Sequence, residues 1–231
     1  MTQRCIAVIP ARGGSKRIPR KNIRDFCGKP LISYSIEVAN ACGLFDRVIV
    51  STDDDEIADI ARQHGADIPF IRPPELADDF TGTNAIVKHA IEHLRNDGED
   101  IELACCIYAT APFLKAEFLQ QGHDRVSDGW QYAFAVTGFD FPVQRALRKG
   151  DDDRLDAVDP VAITARSQDL EELWHDAGQF YWGKADAFVN ELPLTTGLAS
   201  GIPLPRSHVQ DIDTEEDWQE AEIRYRILNE L

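Results

Sequence analysis

A glycine-rich, basic segment near the N-terminus is the first stretch whose residue types could do chemistry. Residues 9–22 read Ile-Pro-Ala-Arg-Gly-Gly-Ser-Lys-Arg-Ile-Pro-Arg-Lys-Asn and directly follow a predicted strand. Gly13 and Gly14 let backbone N–H groups approach a ligand closely, and the surrounding arginines and lysines supply charge-assisted hydrogen bonds to phosphate. The spacing matches neither a P-loop nor the dinucleotide-binding fingerprint, which needs a third glycine. The segment predicts a phosphate-binding loop of another kind, with a basic surface turn as the alternative.

A pair of aspartates near the C-terminus is the second candidate. Asp211 and Asp213 stand two residues apart, so an extended backbone places both carboxylates on one side of the chain. Neighbouring carboxylates repel each other unless a cation lies between them, and hard oxygen ligands suit Mg²⁺. The alternative is that one aspartate caps the final helix while the other is solvated. Thr214 is the better cap, because Asp217 holds the capping-box position three residues later, and this leaves both aspartates available to a metal.

Together the two sites suggest an enzyme that handles a Mg²⁺–nucleoside triphosphate, and the motifs around them resemble those of a known family. Residues 9–22 resemble the N-terminal signature of the CMP-sugar synthetases, cytidylyltransferases that activate nonulosonic acids such as sialic acid. The resemblance continues in chain order through Arg47–Asp54 (RVIVSTDD), Arg72–Asp79 (RPPELADD) and Asp211–Asp217. It implies that CTP and a nine-carbon 2-keto acid sugar react to give a CMP-sugar and pyrophosphate. It also implies one three-layer α/β/α, Rossmann-like nucleotidyltransferase domain over residues 1–231.

Two further segments resemble the pseudaminic acid branch of that family. They are Tyr108–Phe113 (YATAPF) and Asp176–Gly183 (DAGQFYWG). Sialate enzymes usually have a glutamine where this chain has Tyr108, and Arg-Pro-Asn-Gly where it has residues 175–178. Pseudaminic acid is therefore the expected sugar, with N-acetylneuraminate and legionaminate as alternatives. A non-catalytic nucleotide-sensing module is the alternative of another class, but it would need neither Lys21 nor the paired aspartates.

The resemblance also assigns residues to the nucleotide. They lie in the basic segment and in two stretches after the second strand: Ala11, Arg12, Gly13, Gly14, Ser15, Lys16, Lys21, Asn22, Arg72, Thr81, Gly82 and Thr83. The expected catalytic residues are Arg12, Lys21, Asp211 and Asp213, with Lys21 nearest the α-phosphate. The two aspartates are expected to bind one or two Mg²⁺ ions, with CTP as the substrate.

For the sugar, the matched motifs point to Tyr108, Thr110, Gln179 and Tyr181. A sugar with two acyl-amido groups offers methyl groups beside hydrogen-bonding groups, and tyrosine and glutamine side chains suit both. Because residues alternate along a strand, either Gln179 and Tyr181 or their neighbours should face the core. Arg166 matches an arginine that the family uses near the phosphates or the sugar, with an exposed salt bridge as the alternative.

The elements that position these residues follow from hydrophobic periodicity. Short apolar runs predict strands at residues 5–9, 47–51, 68–71, 103–108, 132–137, 179–182 and 202–204. Helical patterns predict helices at residues 31–41, 54–64, 83–95, 117–127 and 214–228, with a short one from Lys184. The alternation predicts a largely parallel sheet with helices on both faces, in which ligands bind beyond the carboxyl ends of the strands.

Residues 138–175 interrupt this alternation. The stretch has prolines, three consecutive aspartates and few apolar residues at either period, which predicts an insertion outside the main sheet. A long surface loop and a dimerisation arm are both compatible with its composition. The family resemblance implies the arm, and therefore a homodimer.

Composition excludes several classes of protein. The chain of 231 residues carries a net charge of −16, yet eight of its 24 cationic side chains fall within the first 30 residues. An acidic surface repels a nucleic acid, whereas the local basic block suits one small anion. The longest apolar stretch, residues 103–114, is too short for a membrane span. With no apolar leader and five cysteines that lack metal-ligand spacing, the sequence predicts a cytoplasmic protein. The family resemblance implies that its partners are small molecules and a second copy of itself.

Overall fold

The computed structural model of the chain describes residues 4–78, 81–195 and 197–229. The strands in these ranges are β1 (Cys5–Pro10), β2 (Asp25–Phe26), β3 (Lys29–Pro30), β4 (Arg47–Ser51), β5 (Leu103–Ile107), β6 (Tyr132–Gly138), β7 (Leu147–Lys149), β8 (Leu155–Ala157), β9 (Trp174–Lys184) and β10 (Ala199–Pro203). The helices are α1 (Leu31–Ala41), α2 (Asp55–Gln63), α3 (Thr83–Asn96), α4 (Ala116–Ser127), α5 (Ala185–Val189) and α6 (Glu215–Leu228). Asp79, the last residue of one motif above, lies outside the described residues.

Six of the strands form one sheet in the order β10-β6-β9-β5-β1-β4. β1 is parallel to both β4 and β5, and β6 is parallel to β10. β9 is antiparallel to both of its neighbours, β5 and β6. The predicted parallel sheet is confirmed with one exception, since an antiparallel strand at its centre makes the sheet mixed.

Helices cover both faces of this sheet. Along β1, Cys5, Ala7 and Ile9 belong to one apolar cluster while Ile6 and Val8 belong to another, as the two-residue repeat of a strand requires. The first cluster is completed by residues of α1, α2 and α4, and the second by residues of α3 and α5. The predicted three-layer α/β/α arrangement is confirmed.

The prediction of a strand at residues 68–71 is wrong. The only pairing next to it is a single parallel bridge between Ile49 and Asp67, after which the chain is irregular as far as the Pro74 turn. Pro69 lacks the N–H that would continue a ladder along β4. The apolar residues there instead pack against the sheet from a loop, with Ile68 against the first cluster and Phe70 against the second.

The predicted insertion does lie outside the six-stranded sheet. It forms a separate hairpin, β7 paired antiparallel with β8, between short helical turns. Its bounds need correction, because Gly138 ends β6 and Trp174 already begins β9. The segment outside the six-stranded sheet is therefore residues 139–173, and we call this segment the insertion.

No helix within the described ranges is long and apolar enough to cross a membrane.

Candidate active site

The predicted phosphate loop, residues 11–22, leaves the carboxyl end of β1 and is fixed at both ends. The Ala11 N–H donates to the Ser51 carbonyl at the end of β4, at 3.0 Å. The Asn22 side-chain amide donates to the Arg12 carbonyl at 3.1 Å. Between them, Ile18 is fully buried in a third apolar cluster that includes Trp218 of α6. The cations of the loop are therefore carried on a frame that the hydrophobic core holds in place.

Arg20 ties the phosphate loop to the start of α2. Its backbone is left-handed, with φ of 56°, and its guanidinium donates to both carboxylate oxygens of Asp54 and, at 2.5 Å, to Glu56. Asp54 also caps α2 by accepting the Ile57 N–H at 3.0 Å. The hydrogen bonds from Arg20 lower the pKa of Asp54, so this clamp is ionic at neutral pH.

Gly13 lies against this clamp and gives the first testable prediction. A Cβ on Gly13 would lie 2.5 Å from a carboxylate oxygen of Asp54 and 3.1 Å from its Cβ and Cγ. Asp54 cannot move aside without losing Arg20 and the helix cap. We expect Gly13→Ala to lower the free energy of unfolding by about 1–3 kcal/mol, the usual cost of overpacking, as measured by urea denaturation.

Gly14→Ala is the matched comparison for stability, because a Cβ there meets no atom within 4 Å. Its free energy of unfolding should change by less than about 0.5 kcal/mol. Equal losses in the two variants would contradict the steric argument.

A first cavity of about 500 Å³ opens above the phosphate loop. The predicted nucleotide residues in its wall are Arg12, Ser15, Lys16, Lys21, Asn22, Arg72, Thr81 and Thr83. The other four, Ala11, Gly13, Gly14 and Gly82, adjoin these residues in the chain but are not part of the wall. The structure adds Arg17, Asp78 and the apolar side chains of Leu76 and Ile86. The cavity therefore combines a cationic side with a partly apolar one, as a nucleotide requires.

Arg72 is the buried cation of the first cavity, with 3% of its surface exposed. Its Nε donates to the Ser51 hydroxyl at 3.1 Å, and a terminal nitrogen donates to the Ser51 carbonyl. Burial lowers its pKa to about 10, although the charge of Asp53 acts in the opposite direction. Arg72 therefore stays protonated at neutral pH and presents its charge from a fixed position.

The paired aspartates and the phosphate loop form a single site. One oxygen of Asp213 accepts from Arg17 at 2.7 Å, and the other lies 3.3 Å from Lys21 Nζ. Lys21 also donates to the Ile212 carbonyl at 2.6 Å. The two segments that the sequence presents as separate candidates, almost 200 residues apart, are thus joined by direct contacts.

The predicted cap of the final helix is confirmed, and it positions Asp213. Thr214 Oγ accepts from the Asp217 N–H at 3.1 Å, while the Asp217 carboxylate accepts from the Thr214 N–H at 2.7 Å. The same carboxylate accepts from the Asp213 N–H at 3.0 Å. The capping box therefore leaves the Asp213 side chain free to turn toward the loop.

Asp211 differs from Asp213 in its contacts. Within the described part of the chain its carboxylate accepts no hydrogen bond, and it lies in the wall of a second cavity. Partial desolvation, together with the nearby charge of Asp213, raises the pKa of Asp211, although the charges of Lys21 and Arg17 act in the opposite direction. A bound cation would remove both penalties.

This donor set fits Mg²⁺, which the family resemblance implies. Mg²⁺ is held in proteins by one or two carboxylates together with phosphate oxygens and water. Among the described residues no group of three or more His, Cys, Asp or Glu side chains could hold a metal ion by itself. A pair of aspartates completed by phosphate oxygens and water matches this ligand preference.

The second cavity, of about 1040 Å³, adjoins the first. Its wall is formed by Tyr108, Thr110, Thr137, Gly138, Phe139, Asp140, Phe141, His175, Asp176, Ala177, Gly178, Arg206, Ser207, Val209, Gln210, Asp211, Glu220 and Arg224. Tyr108 and Thr110 belong to the walls of both cavities. Two ligands bound in the two cavities would therefore meet beside these residues.

Comparison with known proteins agrees with this geometry. Residues 6–148 match the family model described as cytidylyltransferase. The chain is 44% identical over 226 residues to the pseudaminic acid cytidylyltransferase of Campylobacter jejuni, an alignment covering 97% of each protein. The chain belongs to the cytidylyltransferase family.

More distant relatives of this cytidylyltransferase share the same enzyme class. It is 31% identical to N-acylneuraminate cytidylyltransferase A of Danio rerio, over 94% of this chain and 50% of that protein. Its fold matches a solved structure of CMP:2-keto-3-deoxy-manno-octonic acid synthetase complexed with CTP, with a TM-score of 0.69, 17% identity and coverage of 99% and 100% of the two chains. The predicted nucleotidyltransferase fold and enzyme class are confirmed.

The predicted sugar residues of this cytidylyltransferase lie in three different settings. Tyr108 and Thr110 line both cavities. Gln179 and Tyr181 lie on β9, are 3% and 6% exposed, and are not in either wall. Arg166 lies in the insertion, mostly exposed and paired with Asp169 at 2.7 Å, and is also absent from both walls. The exposed salt bridge, which was the alternative for Arg166, is present in this protomer. A role of Arg166 toward a ligand stays a prediction.

Sequence reasoning missed several residues of the second cavity, including Asp140, Asp176, Arg206 and Arg224. Asp176 is the first residue of the DAGQFYWG motif, so that motif was the signal available for it. Arg206 and Asp140 form an ion pair at 2.7 Å across 66 residues of chain, and nothing in their local sequences indicates this.

Proposed function

We propose that this cytidylyltransferase transfers the cytidylyl group of CTP to pseudaminic acid, giving CMP-pseudaminic acid and pyrophosphate. The observation that carries the proposal is the meeting of the two cavities at Tyr108 and Thr110, with Lys21 in the first wall and Asp211 in the second. One cavity is cationic and suits a triphosphate, and the other is larger and suits a nine-carbon sugar. The high identity to the Campylobacter jejuni enzyme over almost the whole chain supports pseudaminic acid as that sugar.

The first cavity would bind CTP by charge and position. Arg12, Ser15 and Lys16 would hold the β- and γ-phosphates, since guanidinium, hydroxyl and ammonium groups all donate to phosphate oxygens. Asn22 would contact the nucleotide at the base of the loop. Arg72 and the Thr81–Thr83 turn would frame the cytosine, with Leu76 and Ile86 supplying apolar surface beside it.

Lys21 would stabilise the reacting phosphorus. The anomeric hydroxyl of the sugar attacks the α-phosphorus in line, the bond from that phosphorus to the bridging oxygen breaks, pyrophosphate leaves, and the hydroxyl proton passes to water. Negative charge spreads over the non-bridging oxygens in the transition state, so fixed cations do most of the catalytic work. Lys21 is half-buried and anchored by the Ile212 carbonyl, so it reaches this position without a large loss of side-chain freedom.

Asp211 and Asp213 would hold one or two Mg²⁺ ions beside the phosphate loop. The chemistry that Mg²⁺ would supply when bound there is neutralisation of phosphate charge, which would favour the approach of the sugar to the triphosphate. Asp213 would exchange Arg17 and Lys21 for the metal, which leaves both cations available to the phosphates. Asp211 would bind the metal ion from the second cavity, without losing a hydrogen bond or ion pair to any residue in the described ranges.

The sugar would occupy the second cavity. Tyr108 and Thr110 would contact it directly beside the nucleotide. Gln179, Tyr181 and Arg166, which line neither cavity in this protomer, would contribute to sugar binding from behind the wall or, for Arg166, from the insertion. The aromatic rings of Phe139 and Phe141 offer apolar surface for the methyl groups of acyl-amido substituents.

A substrate panel tests this function. Purified protein is mixed with CTP, Mg²⁺ and, separately, pseudaminic, legionaminic and N-acetylneuraminic acid, and pyrophosphate release is followed. We expect pseudaminic acid to give the highest kcat/KM. Turnover of N-acetylneuraminic acid without turnover of pseudaminic acid would overturn the sugar and leave the cytidylyl transfer intact. No turnover of any sugar, with CTP bound, would favour a nucleotide-sensing module.

The proposal includes a cytoplasmic homodimer in which the insertion contacts the partner subunit. Exposed apolar side chains are concentrated there: Phe139, Phe141, Val143, Leu147, Leu155, Val158, Val161, Ile163 and Leu173. Phe141 and Val161 are 83% and 78% exposed, which is unusual for side chains of this size. A concentration of exposed apolar side chains in one segment is typical of protein interfaces.

We expect the protein to sediment as a dimer of its 25.9 kDa chain, and Val158→Asp/Val161→Asp to sediment as a monomer. Burying two carboxylates at an apolar interface opposes association strongly. Ile227→Asp is the control, since Ile227 is 72% exposed but lies on α6, outside the insertion. A monomeric wild type at micromolar concentration would contradict this part of the proposal.

A further inference from the structure

Asp176 is a carboxylate of the second cavity with a fixed orientation. It lies near the start of β9, where one of its oxygens accepts the Gly178 N–H at 2.8 Å. The other accepts the Tyr181 hydroxyl at 2.6 Å. Gly178 is left-handed, with φ of 61°, so the chain turns back on the carboxylate at this point. Both oxygens are therefore positioned by the protein before any ligand binds.

Asp176 keeps acceptor capacity for a ligand. A carboxylate offers about four acceptor positions, and the protein uses two of them here. The remaining positions belong to a side chain that is exposed and in the wall of the second cavity. Asp176 can therefore accept hydrogen bonds from a molecule bound there.

The buried side chain of Tyr181 holds the Asp176 carboxylate in place. It is 6% exposed and packs between the rings of Tyr108 and Phe134, at centroid distances of 5.5 and 5.7 Å. Burial, the neighbouring Tyr108 and the hydrogen bond to Asp176 all raise the pKa of Tyr181. Its hydroxyl therefore stays protonated and donates a hydrogen bond to Asp176. Tyr108 packs against Tyr181 and lines both cavities. The side chains that hold Asp176 in place therefore extend to the place where the two cavities join.

We propose that Asp176 is a specificity-determining residue that accepts a hydrogen bond from an N–H or O–H group of the sugar, and that Tyr181 is its positioning residue. This inference rests on the proposed function of the second cavity. The negative charge of Asp176 repels the carboxylate of a nonulosonic acid. Asp176 therefore favours the pose in which the N–H or O–H donors of the sugar face it. The sugar carboxylate then points toward the cationic side of the site.

The test is steady-state kinetics of pyrophosphate release with the best sugar of the panel. Asp176→Asn keeps the shape of the side chain and an oxygen that can accept the Gly178 N–H, but it removes the charge and half of the acceptor capacity. We expect kcat/KM for the sugar to fall about 10- to 100-fold, the range for a hydrogen bond to a charged group. The KM for CTP should change less than about 2-fold, because Asp176 is absent from the first cavity wall. Tyr181→Phe should show a smaller fall in kcat/KM for the sugar, again without a change in the KM for CTP.

Asp25→Asn is the matched control. Asp25 accepts the N–H of another left-handed glycine, Gly28, at 3.2 Å and lies in neither cavity wall. It should leave all constants unchanged. An unchanged kcat/KM for the sugar in Asp176→Asn, or equal losses of kcat/KM for the sugar and for CTP, would overturn this inference while wild-type turnover still supported the proposed function. Absence of turnover in the wild type would instead overturn the function itself.

Discussion

Asp211→Ala is expected to lower the turnover number by about 10²- to 10³-fold, the range found when one group that stabilises transition-state charge is removed. The proposed metal site would lose the ligand that faces the second cavity. Folding should be unaffected, because the Asp211 carboxylate makes no hydrogen bond within the described ranges and is exposed. Pyrophosphate release measures the loss, and thermal melting checks the fold.

Two companion variants sharpen this test. Asp213→Ala should lose turnover to a similar extent, but it also removes the partner of Arg17 and Lys21 and can lower stability. Glu216→Ala removes a nearby exposed carboxylate for which no contact is described, and it should retain full activity. Wild-type turnover in Asp211→Ala would falsify the metal assignment.

Lys21→Ala is expected to reduce kcat by about 10²- to 10³-fold while raising the KM for CTP much less. The reason is that Lys21 would act on charge that develops at the α-phosphorus only in the transition state, whereas Arg12 and Lys16 hold phosphates already charged in the substrate. Steady-state kinetics over a range of CTP concentrations separates the two constants.

Lys88→Ala is the control for charge removal, because Lys88 pairs with Glu191 and lies in neither cavity wall. Lys21 also satisfies the Ile212 carbonyl, so a thermal melt of Lys21→Ala is needed to confirm that the variant is folded. A large rise in KM with kcat unchanged would mean that Lys21 only binds the nucleotide.

Much of the fold follows from local sequence, because the periodicity of apolar residues indicates which segments form helices and which form strands. The bounds of α1 and β4 coincide with the prediction, and those of α2, α3, α4, β1 and β5 differ by one or two residues. What could not be predicted is how β9 pairs. Residues 179–182 read as a strand, but apolar content cannot distinguish a parallel from an antiparallel neighbour when both faces are buried.

The candidate site was predictable where it consists of contiguous motifs, and not where it depends on contacts between distant segments. Arg12 and Lys21 were identifiable because the phosphate loop is one uninterrupted stretch. The ion pair of Arg17 with Asp213 and that of Arg206 with Asp140 join residues 196 and 66 positions apart, and no local pattern encodes them. The orientation of Tyr181 toward Asp176 depends on the left-handed turn at Gly178, which periodicity does not detect.

The central position of β9 has a consequence for how the chain folds. β6 pairs only with β9 and β10, whereas β5, β1 and β4 pair consecutively. During synthesis β1, β4 and β5 can therefore pair early, while within the described ranges β6 has no sheet partner until residues 174–184 emerge. Such long-range pairing is slow and leaves hydrophobic surface exposed in the meantime. The strand that unites the two halves of the sheet also carries Asp176, and the cluster that buries Ile18 of the phosphate loop includes Trp218 of α6. Both sides of the site are therefore completed only after the C-terminal part of the chain has emerged.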